Sequence, residues 1–312
     1  MPDIVNVRGL VKRYGATLAL DHFVLRIARG EIFGLLGPNG CGKTTAINCM
    51  LQLLTYDRGS IELFGEPMTP TRYDLKARIG VVPQQVAVLD ELTVRENVDA
   101  FCALYVADAR TRRRLVDEAL DFVGLTDHAK KRPRKLSGGL LRRLNIACGI
   151  AHRPELLFLD EPTVAVDPQS RNAILDGIRR LRDEGATVVY TSHYMEEVER
   201  ICGRVMIMDA GRSVAEGTPD ELKRLIDLGE RIVVELDAPG EALLERVRGL
   251  RCVTRAVYAD GELRLDCAPS AHALLDVFGV LEEAGAVPGR VWSEPPTLND
   301  VFLELCGREL RD

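Results

Sequence analysis

Gly37-Pro38-Asn39-Gly40-Cys41-Gly42-Lys43-Thr44-Thr45 decides the reading of this chain. It carries the spacing G-x-x-x-x-G-K-[ST] of a loop that cradles phosphate. The apolar run Glu31–Leu36 before it reads as a buried strand. After it, Ile47, Met50, Leu51 and Leu54 recur at helical intervals over residues 43–54. Gly37, Gly40 and Gly42 allow backbone conformations closed to residues with a Cβ and let successive N–H groups face one anion. The helix starting near Lys43 adds its positive dipole end. Lys43 then supplies a point charge to the β- and γ-phosphates of a nucleoside triphosphate, and the Thr44 hydroxyl a ligand to Mg²⁺.

The rest of the chain must accommodate that loop. Its 312 residues predict about two domains, and 46% hydrophobic with 28% charged residues describes a globular protein with an ample core. No apolar run approaches the roughly 18 residues that span a bilayer. The start Met1-Pro2-Asp3-Ile4-Val5 lacks the basic-then-apolar pattern of a signal peptide, so a cytoplasmic location is expected. A net charge of −6 argues against nucleic acid as main partner. Eight scattered cysteines form no C-x-x-C pair, which suggests neither a zinc site nor a disulfide framework. Cys41 is read as a small residue that fits the loop rather than as an activated thiol.

Strands are expected at 3–8, 23–29, 31–36, 59–65, 79–82, 156–160, 186–191 and 204–209, with a hairpin arm near 212–217. Helices are expected at 43–54, 93–106, 111–123, 137–151, 168–183 and 194–201, Thr93 and Glu96 forming a capping box. Strands alternating with helices predict a mainly parallel α/β sheet. Near residue 226 the texture changes, which sets the expected domains at 1–226 and 227–312. Strands 231–237, 251–258, 262–267 and 286–293 with helices 239–248 and 270–284 give the order βαββαβ, a ferredoxin-like α+β arrangement. Helix 297–306, capped by Thr297, closes the chain.

Several residues fall where such a sheet gathers chemistry, at the carboxyl ends of its parallel strands. Asp160 ends an apolar strand and would hold Mg²⁺, through water, opposite Thr44. Glu161 is then placed to polarise the attacking water as general base. An acidic pair after a strand often only caps a helix, but Pro162 and the phosphate loop favour chemistry here. Gln84, leaving strand 79–82, offers an uncharged amide to Mg²⁺ and water. His193, in Thr191-Ser192-His193, can donate a hydrogen bond to the γ-phosphate. Leu136-Ser137-Gly138-Gly139 opens another helix with bare N–H groups, a second anion-binding start. One triphosphate does not need two such loops, so this one is expected to complete the site of a second copy of the chain.

Together these residues resemble the nucleotide-binding subunit of an ABC transporter over nearly the whole chain. Residues 37–45 resemble the family's Walker A motif, Gln84 its Q-loop, Leu136–Leu140 its signature motif and Leu156–Glu161 its Walker B with catalytic glutamate. Val166-Asp167 resembles the D-loop, His193 the switch histidine, and Tyr14 the aromatic that stacks on adenine. The resemblance implies a P-loop core with a parallel sheet, an antiparallel β arm and a helical subdomain at about 85–152, followed by the small C-terminal domain. It also implies that ATP is held by Tyr14, Gly37, Pro38, Asn39, Gly40, Cys41, Gly42, Lys43, Thr44, Thr45, Gln84, Asp167 and His193, with Ser137, Gly138 and Gly139. Magnesium would be held by Thr44, Gln84 and Asp160, and catalysis carried by Lys43, Gln84, Glu161 and His193.

The implied assembly is a head-to-tail dimer sandwiching two ATP molecules. It would sit on the inner face of the cell membrane, peripherally, through separate polytopic permease subunits. The runs Leu141–Cys148, Val166–Arg171 and Pro296–Leu305 look most like the ABC-2 export subgroup of drug-resistance and nodulation-factor exporters. A competing class is a soluble ABC ATPase acting as a mechanical clamp, which generally carries two cassettes or a long coiled-coil insertion; neither is present. Two positions depart from the common pattern. Leu140 stands where glutamine is frequent, and Ala165 where glycine often precedes the D-loop. The basic runs 112–114 and 130–135 are read as solvated faces.

Overall fold

The computed structural model describes residues 3–164, 166–226, 228–269 and 272–307. The chain divides into two compact units, the first running to Pro219 and the second beginning at Asp220.

In the first unit a six-stranded sheet runs in the order Arg212–Gly217, Arg204–Asp209, Ile32–Leu36, Thr187–Ser192, Leu156–Asp160, Ile79–Val82. All neighbours pair in parallel except the edge strand Arg212–Gly217, which forms the expected antiparallel hairpin with Arg204–Asp209. Every residue of Ile32–Leu36, Leu156–Asp160 and Thr187–Ser192 is buried, as strands covered on both faces must be. That is why their sequences run apolar without alternation.

A second, antiparallel sheet orders Thr17–Ala28, Asp3–Tyr14, Arg58–Leu63 and Glu66–Pro67. Its first two strands are longer than the expected 3–8 and 23–29. Register shifts between Val7 and Leu10 and again before Lys12, with Gly9 at φ 55°, break the alternation on which the shorter spans rested. The two sheets share one core containing Leu10, Leu20, Phe23, Phe33, Met50 and Phe158.

Helices Val94–Ala103, Ala109–Phe122 and Gly138–Ile150 pack together over residues 94–150. The Thr93–Glu96 capping box is present in both directions. The basic runs meet carboxylates at the surface: Arg112 pairs with Asp99, Arg114 with Glu118 and Arg134 with Asp90.

The second unit has the strand order Val253–Ala259, Glu262–Cys267, Arg231–Glu235, Val291–Glu294, all antiparallel. With helices Glu241–Arg248 and Ala273–Glu283 between strands, this is the βαββαβ ferredoxin-like arrangement. Leu244, Val247, Val277 and Leu281 from the two helices close over Ile232, Val234, Leu263 and Leu265. Thr297 caps Leu298–Cys306 with Asp300 in a capping box.

Candidate active site

Five parallel strands deliver their carboxyl ends to one edge of the large sheet, and the chemistry sits there. From Ile32–Leu36 the chain enters Gly37–Gly42, where Gly37, Gly40 and Gly42 adopt φ values of 157°, 80° and 110°. A Cβ on Gly37 would lie 2.3 Å from the Met208 carbonyl and 2.5 Å from Cys41 Sγ; one on Gly42 would lie 2.6 Å from the Ala19 carbonyl. The loop is therefore held shut from behind by the sheet and by the hairpin that follows Tyr14. Gly42 begins helix Lys43–Met50 with no side-chain cap, so its first N–H groups point out of the loop unspoken for by side chains. Buried Cys41 packs inside, and burial pushes its thiol up against the opposing pull of Lys43. This agrees with its reading as a space-filling residue.

Lys43 is 5% exposed, and its Nζ donates to the carbonyls of Gly37 at 2.7 Å and Pro38 at 3.1 Å. Glu161 Oε1 lies 3.9 Å from the same ammonium. Thr44 Oγ1 donates to Asp160 Oδ2 at 2.8 Å, while Thr191 Oγ1 donates to Asp160 Oδ1 at 2.6 Å. Gln84 Nε2 donates to Glu161 Oε2 at 2.8 Å, and His193 Nδ1 stands 3.4 Å from Glu161 Oε1 without a hydrogen bond of its own. Lys43, Thr44, Gln84, Asp160, Glu161 and His193 thus come from four strand ends to one constellation. A buried imidazole nitrogen without a hydrogen bond costs free energy, and here the nearby charged group is the Glu161 carboxylate. Thr44 and Asp160 offer the hard hydroxyl and carboxylate oxygens that suit Mg²⁺. Gln84 lies in the same constellation, its amide engaged by Glu161.

Glu161 holds a left-handed backbone, φ 48°. Its N–H donates to Thr191 Oγ1 at 2.9 Å, and its carbonyl accepts from Arg142. Strain of this kind persists where surroundings over-determine it, and it clusters at functional sites.

Ser137, Gly138 and Gly139 lie elsewhere. Ser137 caps Gly138–Ile150 by accepting from Leu140 N at 3.4 Å. A Cβ at Gly139 would lie 3.1 Å from both Asp167 Oδ2 and Ser170 Oγ. Asp167 is exposed and caps Pro168–Asp183 by accepting from Ser170 N, a bond that holds its carboxyl below the usual range. Among the described residues, no hydrogen bond joins Ser137–Gly139 to Gly37–Thr45. Tyr14, 47% exposed, carries the Lys12 ammonium 5.0 Å from its ring centre. Leu140 is the third residue of that helix and supplies the N–H of the Ser137 cap; Ala165 lies outside the described residues.

Three residues escaped the sequence reading. Thr191 ties the two acidic residues together, and its signal was its place two residues before His193. Buried Glu197 accepts from Tyr190 OH at 2.6 Å, Thr163 Oγ1 at 2.7 Å and Ser192 Oγ at 3.2 Å, with Arg171 Nε 3.3 Å away. It knits the segments leaving Glu161, Asp167 and His193. Arg142, 3% exposed, donates to the carbonyls of Pro162 at 2.8 Å, Pro83 at 3.0 Å, Gln84 at 2.8 Å and Asp160 at 3.2 Å, and to that of Glu161. Its signal was a charge on the buried stripe of a helix, among Asn145 and Ile146.

Residues 20–164 match the family model described as ABC transporter. The chain is 38% identical over 314 residues to the Linearmycin resistance ATP-binding protein LnrL of Bacillus subtilis, covering 99% of this chain and 100% of that protein. It is 37% identical over 310 residues to the Nod factor export ATP-binding protein I of Ralstonia nicotianae, covering 99% and 95%. Among solved structures it resembles a dimeric ATP-binding cassette in a post-hydrolysis state with ADP and Pi bound. The TM-score is 0.63 at 26% identity, covering 69% of this chain and 98% of that one.

Proposed function

The chain belongs to the ATP-binding subunits of ABC transporters, and from that premise we propose that it is the ATP-hydrolysing motor of an ABC-2 type exporter. Two copies close head to tail over two ATP molecules, and the closing and reopening moves separate membrane-spanning permease chains on whose inner face the protein sits. The observation that carries this reading is the separation of two anion-binding helix starts. Gly37–Thr45 carries Lys43 and is faced by Asp160, Glu161 and His193, whereas Ser137–Gly139 stands apart from that constellation, beside the exposed Asp167 carboxylate and the Ser170 hydroxyl. A loop of that kind has work to do only at another molecule's nucleotide.

Within each site, the N–H groups of Gly37–Thr45 and the Lys43 ammonium bind the phosphates, in the manner such loops do. Thr44, Asp160 and Gln84 would hold Mg²⁺, which when bound offsets the phosphate charge. Glu161 takes the proton of the attacking water, held in place by Gln84. His193, beside Glu161, donates from its imidazole to the γ-phosphate, so its contact distinguishes triphosphate from diphosphate. Tyr14 stacks on the base, and Asp167 lies at the junction between copies. The segment 1–226 performs this chemistry, and 227–312 adds contacts between copies. The clamp alternative fits less well, because the full-length relatives are export and resistance proteins.

The test is the Glu161→Gln variant of the full-length chain. With ATP and Mg²⁺ it is expected to accumulate as a dimer by light scattering while turnover falls by about 10²–10⁴-fold, the usual contribution of a general base. Unchanged turnover would sink the assignment of the base, and a monomer at saturating ATP would sink the shared site.

A further inference from the structure

Arg142 is a buried cation without a carboxylate within salt-bridge reach among the described residues. A guanidinium has five N–H donors in a fixed planar fork. Here all five are used: Nε on Pro162, Nη1 on Pro83 and Gln84, Nη2 on Asp160 and Glu161. Every acceptor is a backbone carbonyl, and they belong to two segments that leave adjacent parallel strands. The ladder between those strands ends at the pair Val82 and Leu159. Beyond it Arg142 replaces the interstrand bonds, so Gln84 and Glu161 emerge at a fixed separation, and Gln84 Nε2 reaches Glu161 Oε2 at 2.8 Å.

We propose that Arg142 is the positioning residue for this hydrolysis, joining the Ser137–Gly139 loop to the Glu161 carboxylate of the same chain. This rests on Glu161 acting as the base. Arg142 is the fifth residue of the helix that Ser137 caps, about 7.5 Å along the axis from that cap at 1.5 Å per residue. Ser137–Gly139 serves the partner's nucleotide, while Glu161 serves its own. A shift of the helix as the loop engages the partner therefore pulls directly on the carbonyl of Glu161, which apart from Arg142 accepts only a long bond, from Val164 N at 3.4 Å, among the described residues. Asp160 moves with it through its own carbonyl. The two sites of a dimer are thereby connected through one side chain in each copy.

The experiment compares Arg142→Lys, Arg142→Ala and Glu161→Gln in the full-length chain. Lysine keeps the charge but cannot span five carbonyls in a plane. Three quantities are read: affinity for a fluorescent ATP analogue, maximal turnover, and melting temperature. Both Arg142 variants are expected to lose about a hundredfold in turnover, the cost of a misplaced catalytic group, while nucleotide affinity stays within about twofold. Millimolar guanidinium added to Arg142→Ala should restore turnover at least about tenfold by refilling the same bonds. Parallel loss of affinity, turnover and melting temperature in Arg142→Lys, with no rescue of Arg142→Ala, would overturn the proposal in favour of a purely structural role. Wild-type turnover in Arg142→Lys beside a stalled Glu161→Gln would overturn it alone. Wild-type turnover in Glu161→Gln would instead remove the base on which it rests.

Discussion

At Gly37–Thr45, and again at Ser137–Gly139, glycines stand at the start of a helix, before it in the first case and as its first two residues in the second, yet the surroundings differ throughout. The first loop has no side-chain cap and is ringed by Lys43, Asp160 and Glu161, each at most 6% exposed. The second is capped by its own Ser137, its first two residues are exposed, and its nearest polar neighbours are the Asp167 carboxylate and the Ser170 hydroxyl. The same backbone device therefore yields a complete reaction centre in one place and a set of outward donors in the other. What decides between them is where each helix starts. The first follows a strand of the parallel sheet and inherits the strand-end chemistry, whereas the second follows a 3₁₀ turn, Pro133–Lys135, at the surface.

Substitutions can break that contrast in order of size. Glu161→Gln acts on the first loop's surroundings alone and should cost the most turnover while sparing binding. Lys43→Ala removes the charge from the first loop and should weaken ATP by about a hundredfold, comparable to losing one preorganised donor in a dry site. Titration with a fluorescent ATP analogue reads this, and normal affinity would contradict the phosphate-loop assignment. Gly139→Val puts branched carbon where even a Cβ meets Asp167 and Ser170 at 3.1 Å. Turnover should drop about tenfold with affinity of the monomer unchanged, a difference of about 1.4 kcal/mol in the closed dimer. An equal loss of monomer affinity would mean that the second loop serves its own chain.

The smallest effect is expected away from both loops, at the amino end of strand Leu156–Asp160. There Arg78, and less strongly Arg29, hold the Glu155 carboxyl at about 2, down from an ordinary 4.5. The depressed value means that the pairing stabilises the folded chain fully above pH 4.5 and that this is lost as pH falls through about 2. Glu155 is 44% exposed on its side chain, so the effect is small. Glu155→Gln should lower the urea midpoint slightly at neutral pH, the gap closing as pH drops below 4.5, with turnover unchanged. Reduced turnover would show that the two ends of the sheet are coupled.

Much of the first unit was legible because its strands are buried on both faces and its loops obey narrow steric rules. Gly37, Gly40 and Gly42 announce their conformations, and Asp160, Gln84 and His193 each follow a recognisable apolar strand. The length of strands 3–14 and 17–28 was not legible, since bulges hide a period of two. Arg142 and Glu197 were not legible either. Their neighbours are carbonyls and hydroxyls distant in sequence, from Pro83 to Pro162 and from Thr163 to Ser192, and no local spacing encodes them.

One further consequence follows from the left-handed backbone at Glu161. A non-glycine residue there costs about 1–3 kcal/mol, a debt the rest of the fold carries for the sake of one carboxylate. Glycine would relax the backbone and end hydrolysis at the same stroke. Selection for robustness and selection for turnover therefore pull this single position in opposite directions, and a lineage released from the need to hydrolyse would drift toward greater stability by abandoning it.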